Sequence, residues 1–191
     1  GSVLAQRGVR LQVLVVDDGS SPDDAHLVDA AVAAASPVAQ LLRLPGRPTG
    51  HGPSFARNTA AALAQGGLIA FLDDDDEWTD VLHLQRCVAS MQPGSASAAE
   101  LLFGDQRAVR PDGSEHPGPL WLRGLEHRLR SNPDAQGARQ ADLDSLLAAG
   151  AMCHLNTTVM QRRFFEALGG FDERLRYEED RDLCLRAIDS A

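Results

Sequence analysis

The chain has 191 residues, a net charge of −9, and 43% hydrophobic against 24% charged residues, the proportions of an ordinary globular protein long enough for one well-cored domain. No apolar run approaches the roughly 20 residues that span a bilayer, and an acidic balance without a basic run excludes a protein that tracks a nucleic-acid backbone. All 18 basic residues are arginine, so chemistries that depend on a lysine are excluded too, P-loop kinases among them.

In chain order, Leu11-Gln-Val-Leu-Val-Val16 reads as a buried strand ending in the turn Asp17-Asp-Gly-Ser20. Ser20 or Ser21 caps a following Ala-rich helix to about Ala35, with Pro22 in its first turn and Asp23 and Asp24 complementing its dipole. Val38 to Arg43 is a second strand, Pro45 to Pro53 a loop, and Ser54 to about Ala64 a helix. A third strand, Leu68 to Leu72, runs into Asp73-Asp-Asp-Asp-Glu-Trp78, and a helix is expected from about Thr79 to Met91. A Gly/Ser/Ala loop at Pro93 to Ala98 precedes Glu100 to Phe103 and a hairpin across the turn Pro111-Asp-Gly-Ser114. The Arg/Gly/Pro-rich stretch from Pro117 to Gln140 reads as loop with one short helix around Trp121 to Leu129. Asp142 to Ala149 is helical, Thr157 to Gln161 a strand, and Arg163 to Leu168 and Glu179 to Ile188 are helices. Phe164, Phe165, Leu168 and Phe171 have the spacing of core residues.

Strands alternating with helices point to a three-layer α/β fold with parallel strands, whose ligands gather at the carboxyl ends of the strands. Both acidic motifs fall at such ends. Five consecutive carboxylates repel one another, so the run from Asp73 to Glu77 is either a solvated turn or a cation site. Were the segment extended, Asp73 and Asp75 would point the same way and share one ligand, with Asp74 pointing elsewhere. Asp17 and Asp18 have the alternatives of a helix-capping turn or acceptors for a nucleotide base. The three cysteines, Cys87, Cys153 and Cys184, are odd in number and widely spaced, which argues against a disulfide framework or a zinc site. A reducing, cytoplasmic setting is expected, either free or peripheral at the inner face of a membrane.

Taken in order, Val15-Val-Asp-Asp-Gly-Ser20, Gly52-Pro-Ser-Phe-Ala-Arg-Asn58, Ile69 to Trp78, Gly169-Gly-Phe-Asp172 and Glu178-Glu-Asp-Arg-Asp182 resemble the inverting family 2 glycosyltransferases of GT-A fold. The resemblance implies a three-layer α/β/α sandwich with a mostly parallel, Rossmann-like nucleotide-binding sheet. It implies transfer of a sugar from a nucleotide-diphosphate sugar, a UDP-sugar first, to a hydroxyl of a sugar or glycolipid acceptor, in polysaccharide or glycoconjugate synthesis. It assigns Asp75, with Asp73, to Mn²⁺ or Mg²⁺, and Asp17, Asp18, Arg57, Asp73 and Asp74 to the nucleotide sugar. Asp180 is assigned as general base, with Glu179 and Asp182 as rivals able instead to hold the helix start or pair with Arg181; His154 and Glu179 fall on the acceptor side. Arg57 is otherwise a surface arginine, His154 a core histidine, and Trp78 either packs beside the pocket or is a buried structural residue. Family members open on an apolar strand, whereas Ser2-Val-Leu-Ala-Gln6 resembles the helix after it, so residues 1–191 are expected to be one catalytic domain lacking that strand and the C-terminal end.

Two other classes compete. A non-catalytic nucleotide-sugar-binding module would keep the fold and lose turnover. A haloacid-dehalogenase-like phosphatase shares an Asp-x-Asp, but it needs Asp where Val16 stands and a lysine later in the chain; a receiver domain lacks its lysine here too.

Overall fold

The computed structural model describes residues 1–92, 99–118, 121–150 and 152–190, so the loop expected at Pro93 to Ala98 lies outside the described residues. β1 (Val13–Asp17) pairs in parallel with β2 (Ala39–Arg43), and between them runs α1 (Pro22–Ala34). Ser21 caps α1 by accepting the Asp24 N–H, and Pro22 stands at its first turn, where its missing N–H costs nothing. The register places Asp17 opposite Arg43, and the two side chains form an ion pair at 3.1 Å.

α2 (Pro53–Ala61) leads to β3 (Leu68–Ala70), which is followed by α3 (His83–Met91) and the two-residue β4 (Leu101–Leu102). α4 (Leu143–Ala149), a 3₁₀ turn at Leu155–Thr157, β5 (Val159–Gln161), α5 (Arg162–Ala167) and α6 (Glu179–Ser190) complete the order. β5 lies between β3 and β4 and is antiparallel to both. The fold is therefore α/β with a parallel pair, β1 and β2, beside an antiparallel trio. Ile69, Phe71, Leu155, Met160, Phe165, Phe171 and Leu183 form the main core, joining the antiparallel sheet to α5 and α6. The aromatic spacing noted in the sequence is borne out: Phe164, Phe165 and Phe171 are buried, and Leu168 packs against the core.

Several elements depart from expectation. α3 starts at His83, because Thr79 to Leu82 is held by the N-terminal segment: Gln6, itself buried, donates to the Asp80 carbonyl and accepts the Leu84 N–H. The hairpin reduces to one bridge, Val109 to Glu115, and Trp121 to Leu129 forms successive turns. Thr157 belongs to the 3₁₀ turn, where its hydroxyl donates to the carbonyls of Gly104 and His154.

The reading of the cysteines is corrected outright. Cys153 and Cys184 form a disulfide with Cα atoms 6.5 Å apart, while Cys87 is free and buried. The argument for a reducing compartment that rested on unpaired cysteines falls with it. Among the described residues no helix is long and apolar enough to cross a membrane.

Candidate active site

The Asp73–Glu77 run does not continue β3 as an extended strand. Asp74 and Asp75 occupy the corner of a tight turn closed by the Asp76 N–H on the Asp73 carbonyl at 3.3 Å. The strand alternation expected to align Asp73 with Asp75 is therefore lost, since like-charge repulsion favours splaying the carboxylates into water. Asp74 and Asp75 are exposed, and among the described residues neither makes a hydrogen bond or ion pair.

The turn is fastened from behind by a residue that the motif reading passed over. Asn156, buried in the 3₁₀ turn, accepts the Asp73 N–H at 3.0 Å and donates to Asp76, while its carbonyl accepts the Trp78 indole N–H at 2.7 Å. Trp78 thus has the structural role, half-buried against His83. The sequence signal for Asn156 was an amide standing just before a buried strand, where an unpaired polar group is costly.

Arg57 is not a surface arginine. From α2 it donates through Nη2 to Asp73 at 2.7 Å and through Nη1 to Glu179 at 2.6 Å, with its guanidinium 5.6 Å from the centre of the Phe171 ring. Burial opposes its charge, but the hydrogen bonds and charges of Asp73 and Glu179 win and raise its pKa. The position of α2 follows from its neighbours: Asn58 accepts the Phe171 N–H and donates to the Phe171 carbonyl, each at 2.9 Å, and the Ser54 hydroxyl donates to the Leu175 carbonyl. Gly170 passes so close, at φ +69°, that a Cβ there would stand 2.6 Å from Asn58 Oδ1.

Glu179, expected as an open helix-start carboxylate, is buried at 8% exposure because Arg57 draws it inward. Glu178 precedes it with φ +60°, the one positive φ on a non-glycine residue among the described residues, and this left-handed step sits at the entry to α6. Asp182 pairs with Arg186 at 2.6 Å and not with Arg181, which reaches Glu178; Arg186 also donates to the Leu168 and Gly170 carbonyls. Among the described residues the Asp180 side chain makes no ion pair, and its one hydrogen bond is accepted from the Arg181 N–H.

Asp180 borders a cleft of about 90 Å³ together with Trp121, Met152, His154, Glu178, Arg181 and Cys153, which is one half of the disulfide. His154 stacks on Trp121 with centroids 5.4 Å apart, and its Nδ1 is buried without a partner among the described residues.

The β1 end is built differently. Asp17 accepts the N–H groups of Ser20 and Gly19 and pairs with Arg43, and the Ser20 hydrogen bond above all, against some desolvation, lowers its pKa to about 2. That is a local-turn role: Asp17 closes its own Asp-Gly-Ser turn with a buried side chain, just ahead of α1, which Ser21 caps. Asp18 loses some carboxylate stability to burial, yet the Gly52 N–H and the His51 ring and N–H hold its carboxyl below the usual range. These bonds fold the loop from Gly50 to Gly52 against β1, and His51 stacks on Phe55 at 4.8 Å. No hydrogen bond or ion pair among the described residues joins Asp17 or Asp18 to the Arg57 group.

The comparisons with known proteins agree with this architecture. A family model described as Glycosyl transferase family 2 matches residues 1–138. The chain belongs to that family. Among curated family relatives, succinoglycan biosynthesis protein ExoO of Rhizobium meliloti is 29% identical over 196 residues, covering 98% of this chain and 50% of ExoO. Pre-mycofactocin glycosyltransferase of Mycobacterium tuberculosis is 27% identical over 193 residues, covering 98% and 36%. Two solved structures share the GT-A fold of this family 2 chain: mannosyltransferase PcManGT from Pyrobaculum calidifontis in complex with GDP-Man and Mn²⁺, and S. aureus TarS 1-349 in complex with UDP. PcManGT has a TM-score of 0.65 at 20% identity, covering 97% of this chain and 46% of that one. For TarS the TM-score is 0.68 at 17% identity, covering 98% and 49%. The chain thus spans half or less of the length of these relatives.

Proposed function

We propose that this chain carries the donor and catalytic side of a glycosyltransferase that moves a sugar from a nucleotide-diphosphate sugar to an acceptor hydroxyl with inversion, in glycan synthesis. The observation that carries this reading is the Arg57 fork, which brings the acidic turn and the start of α6 to one place, with Asp180 beside them facing an open cleft. Membership of family 2 and the GDP-Man and UDP held by the two structural neighbours support a nucleotide-sugar donor.

The acidic turn fits a divalent cation of a particular kind. Among the described residues no group of three or more His, Cys, Asp or Glu converges as a ready-made metal cage. What the turn offers is exposed, unpartnered hard-oxygen donors from Asp75 and Asp74 beside Asp73, suited to an Mg²⁺ or Mn²⁺ ion whose remaining shell is water and diphosphate. When bound, such a cation would offset charge developing on the leaving diphosphate. The Mn²⁺ in the PcManGT complex supports that choice.

In this reading Asp180 takes the proton from the acceptor hydroxyl. The oxygen then attacks the anomeric carbon from the face opposite the diphosphate, the carbon–oxygen bond to the diphosphate breaks, and the nucleoside diphosphate leaves with its electron pair. Trp121 and His154 form the acceptor side of the cleft. Asp17 is withdrawn from the nucleotide in this reading, because its acceptors are used by the turn and Arg43. Asp18 with the Gly50–Gly52 loop remains the candidate for the base.

The test is a panel of UDP- and GDP-sugars with Mn²⁺, scored for release of nucleoside diphosphate with and without added glycoside acceptors. Asp180→Asn is expected to lower transfer by about 10²- to 10⁴-fold while donor affinity holds, since a general base acts chiefly in the transition state. Nucleotide sugar bound without turnover by any panel member would identify a binding module instead.

A further inference from the structure

We propose that Arg57 is an internal counter-cation for the acidic turn, a positioning residue that also ties that turn to the helix carrying Asp180. The inference rests on the reading of the turn as the cation site and assigns a role to a residue that touches neither cation nor acceptor.

Geometry gives the positioning half. One planar guanidinium reaches Asp73 at 2.7 Å and Glu179 at 2.6 Å, groups separated by more than a hundred residues of chain. Glu179 is the first residue of α6 and Asp180 the second, so the fork sets how far the base stands from the turn. The Arg57 side chain is 17% exposed and rests on the Phe171 ring, which leaves it little freedom to swing away. Five donors in a rigid fork do this; a lysine ammonium is a point charge and bridges two carboxylates without fixing their angle.

Charge gives the other half. Among the described residues no other ion pair reaches the run from Asp73 to Glu77. Arg57 therefore relieves the mutual repulsion of five carboxylates, and it also occupies one oxygen of Asp73 that a cation would otherwise use. Bare Mn²⁺ meets a turn already partly neutralised and binds weakly; Mn²⁺ carried with a diphosphate brings its own negative ligands and is less disfavoured. By Coulomb's law, removing a unit positive charge about 6 Å from a dication in a water-like medium strengthens its binding by about tenfold.

A role in holding nucleotide predicts something different: loss of Arg57 would weaken nucleoside diphosphate binding and leave bare-cation affinity alone. A merely structural role predicts loss of folding and nothing further.

The experiment measures Mn²⁺ binding to the 191-residue chain without nucleotide, from the free Mn²⁺ electron paramagnetic resonance signal. The proteins are wild type, Arg57→Met, Arg57→Lys, Asp75→Asn, Glu179→Gln and the double variant Arg57→Met/Glu179→Gln, which removes the buried carboxylate that Arg57 leaves unpaired and so keeps the fold testable, with Glu179→Gln as its reference. Expected are about tenfold tighter Mn²⁺ binding in Arg57→Met than in wild type, about tenfold tighter binding in the double variant than in Glu179→Gln, near wild-type Mn²⁺ affinity in Arg57→Lys, and reduced transfer in all three Arg57 variants. Mn²⁺ binding in the folded double variant that is no tighter than in Glu179→Gln overturns the proposal. Asp75→Asn separates the two levels of failure: if it leaves Mn²⁺ binding intact, the turn is not the cation site and the underlying reading fails; if it removes binding while Arg57→Met gives no tightening, only the role of Arg57 fails.

Discussion

Asn156 accepts the backbone N–H of Asp73 at 3.0 Å, and the same amide donates to Asp76, so one buried side chain spans both ends of the acidic turn. The carboxylates of Asp74 and Asp75 are presented to solvent because their flanks are pinned to the 3₁₀ turn before β5.

Asn156→Ala should release the turn and leave the Asp73 N–H unpaired, at a cost of about 1–3 kcal/mol. Asn156→Asp tests the same contact by charge. A carboxylate facing Asp76 repels it at neutral pH, so this variant should melt lower than the alanine variant at pH 7 and recover relative to it near pH 4. Thermal unfolding at the two pH values checks both, and equal melting of the two variants at pH 7 would show that Asn156 does not meet Asp76.

Gly169 and Gly170 give a matched pair. Both have positive φ, but a Cβ on Gly169 meets nothing within 4 Å, whereas on Gly170 it would stand 2.6 Å from Asn58 Oδ1. Gly169→Ala should therefore cost only the left-handed strain, about 1 kcal/mol. Gly170→Ala should cost more than that, because it also breaks the Asn58 latch on Phe171 and shifts α2. Urea titration of the two variants measures the difference, and equal midpoints would remove the latch from the account.

Cys153 and Cys184 close a loop with a sequence separation of 31. By the chain-entropy estimate, Cys153→Ser/Cys184→Ser should lose about 3–4 kcal/mol. Reductant should lower the melting temperature of the wild type and leave the double variant unmoved. An identical response of both proteins to reductant would show that the two thiols are not paired.

Asp17 sets an acid limit on β1. Its carboxyl is held at about 2, below its ordinary value near 4, so its stabilisation is fully present above that ordinary value and is lost as pH falls through 4 towards 2. The contribution is on the order of 2 kcal/mol for a nearly buried group. Asp17→Asn should therefore lower stability at pH 7 and narrow the gap to wild type by pH 2; a gap that stays constant over this range would remove the linkage.

The sequence by itself determined the α/β class, the family and the identity of the acidic motifs, because these depend on local patterns: apolar runs of strand length, capping residues such as Ser21, and carboxylates in tandem. The core aromatics around Phe165 and Phe171 were legible for the same reason. Only the tertiary structure decided who meets whom. Glu179 lies 122 positions from Arg57, and Asn156 lies 83 from Asp73, separations at which no periodicity carries information. Nor did composition reveal that Cys153 faces Cys184, since spacing along the chain does not report Cα separation in space. Asp17 and Asp18 are adjacent in sequence, yet one is used by its own turn and Arg43 and the other by the Gly50–Gly52 loop, a division set by which backbone N–H groups the packed loops bring within reach.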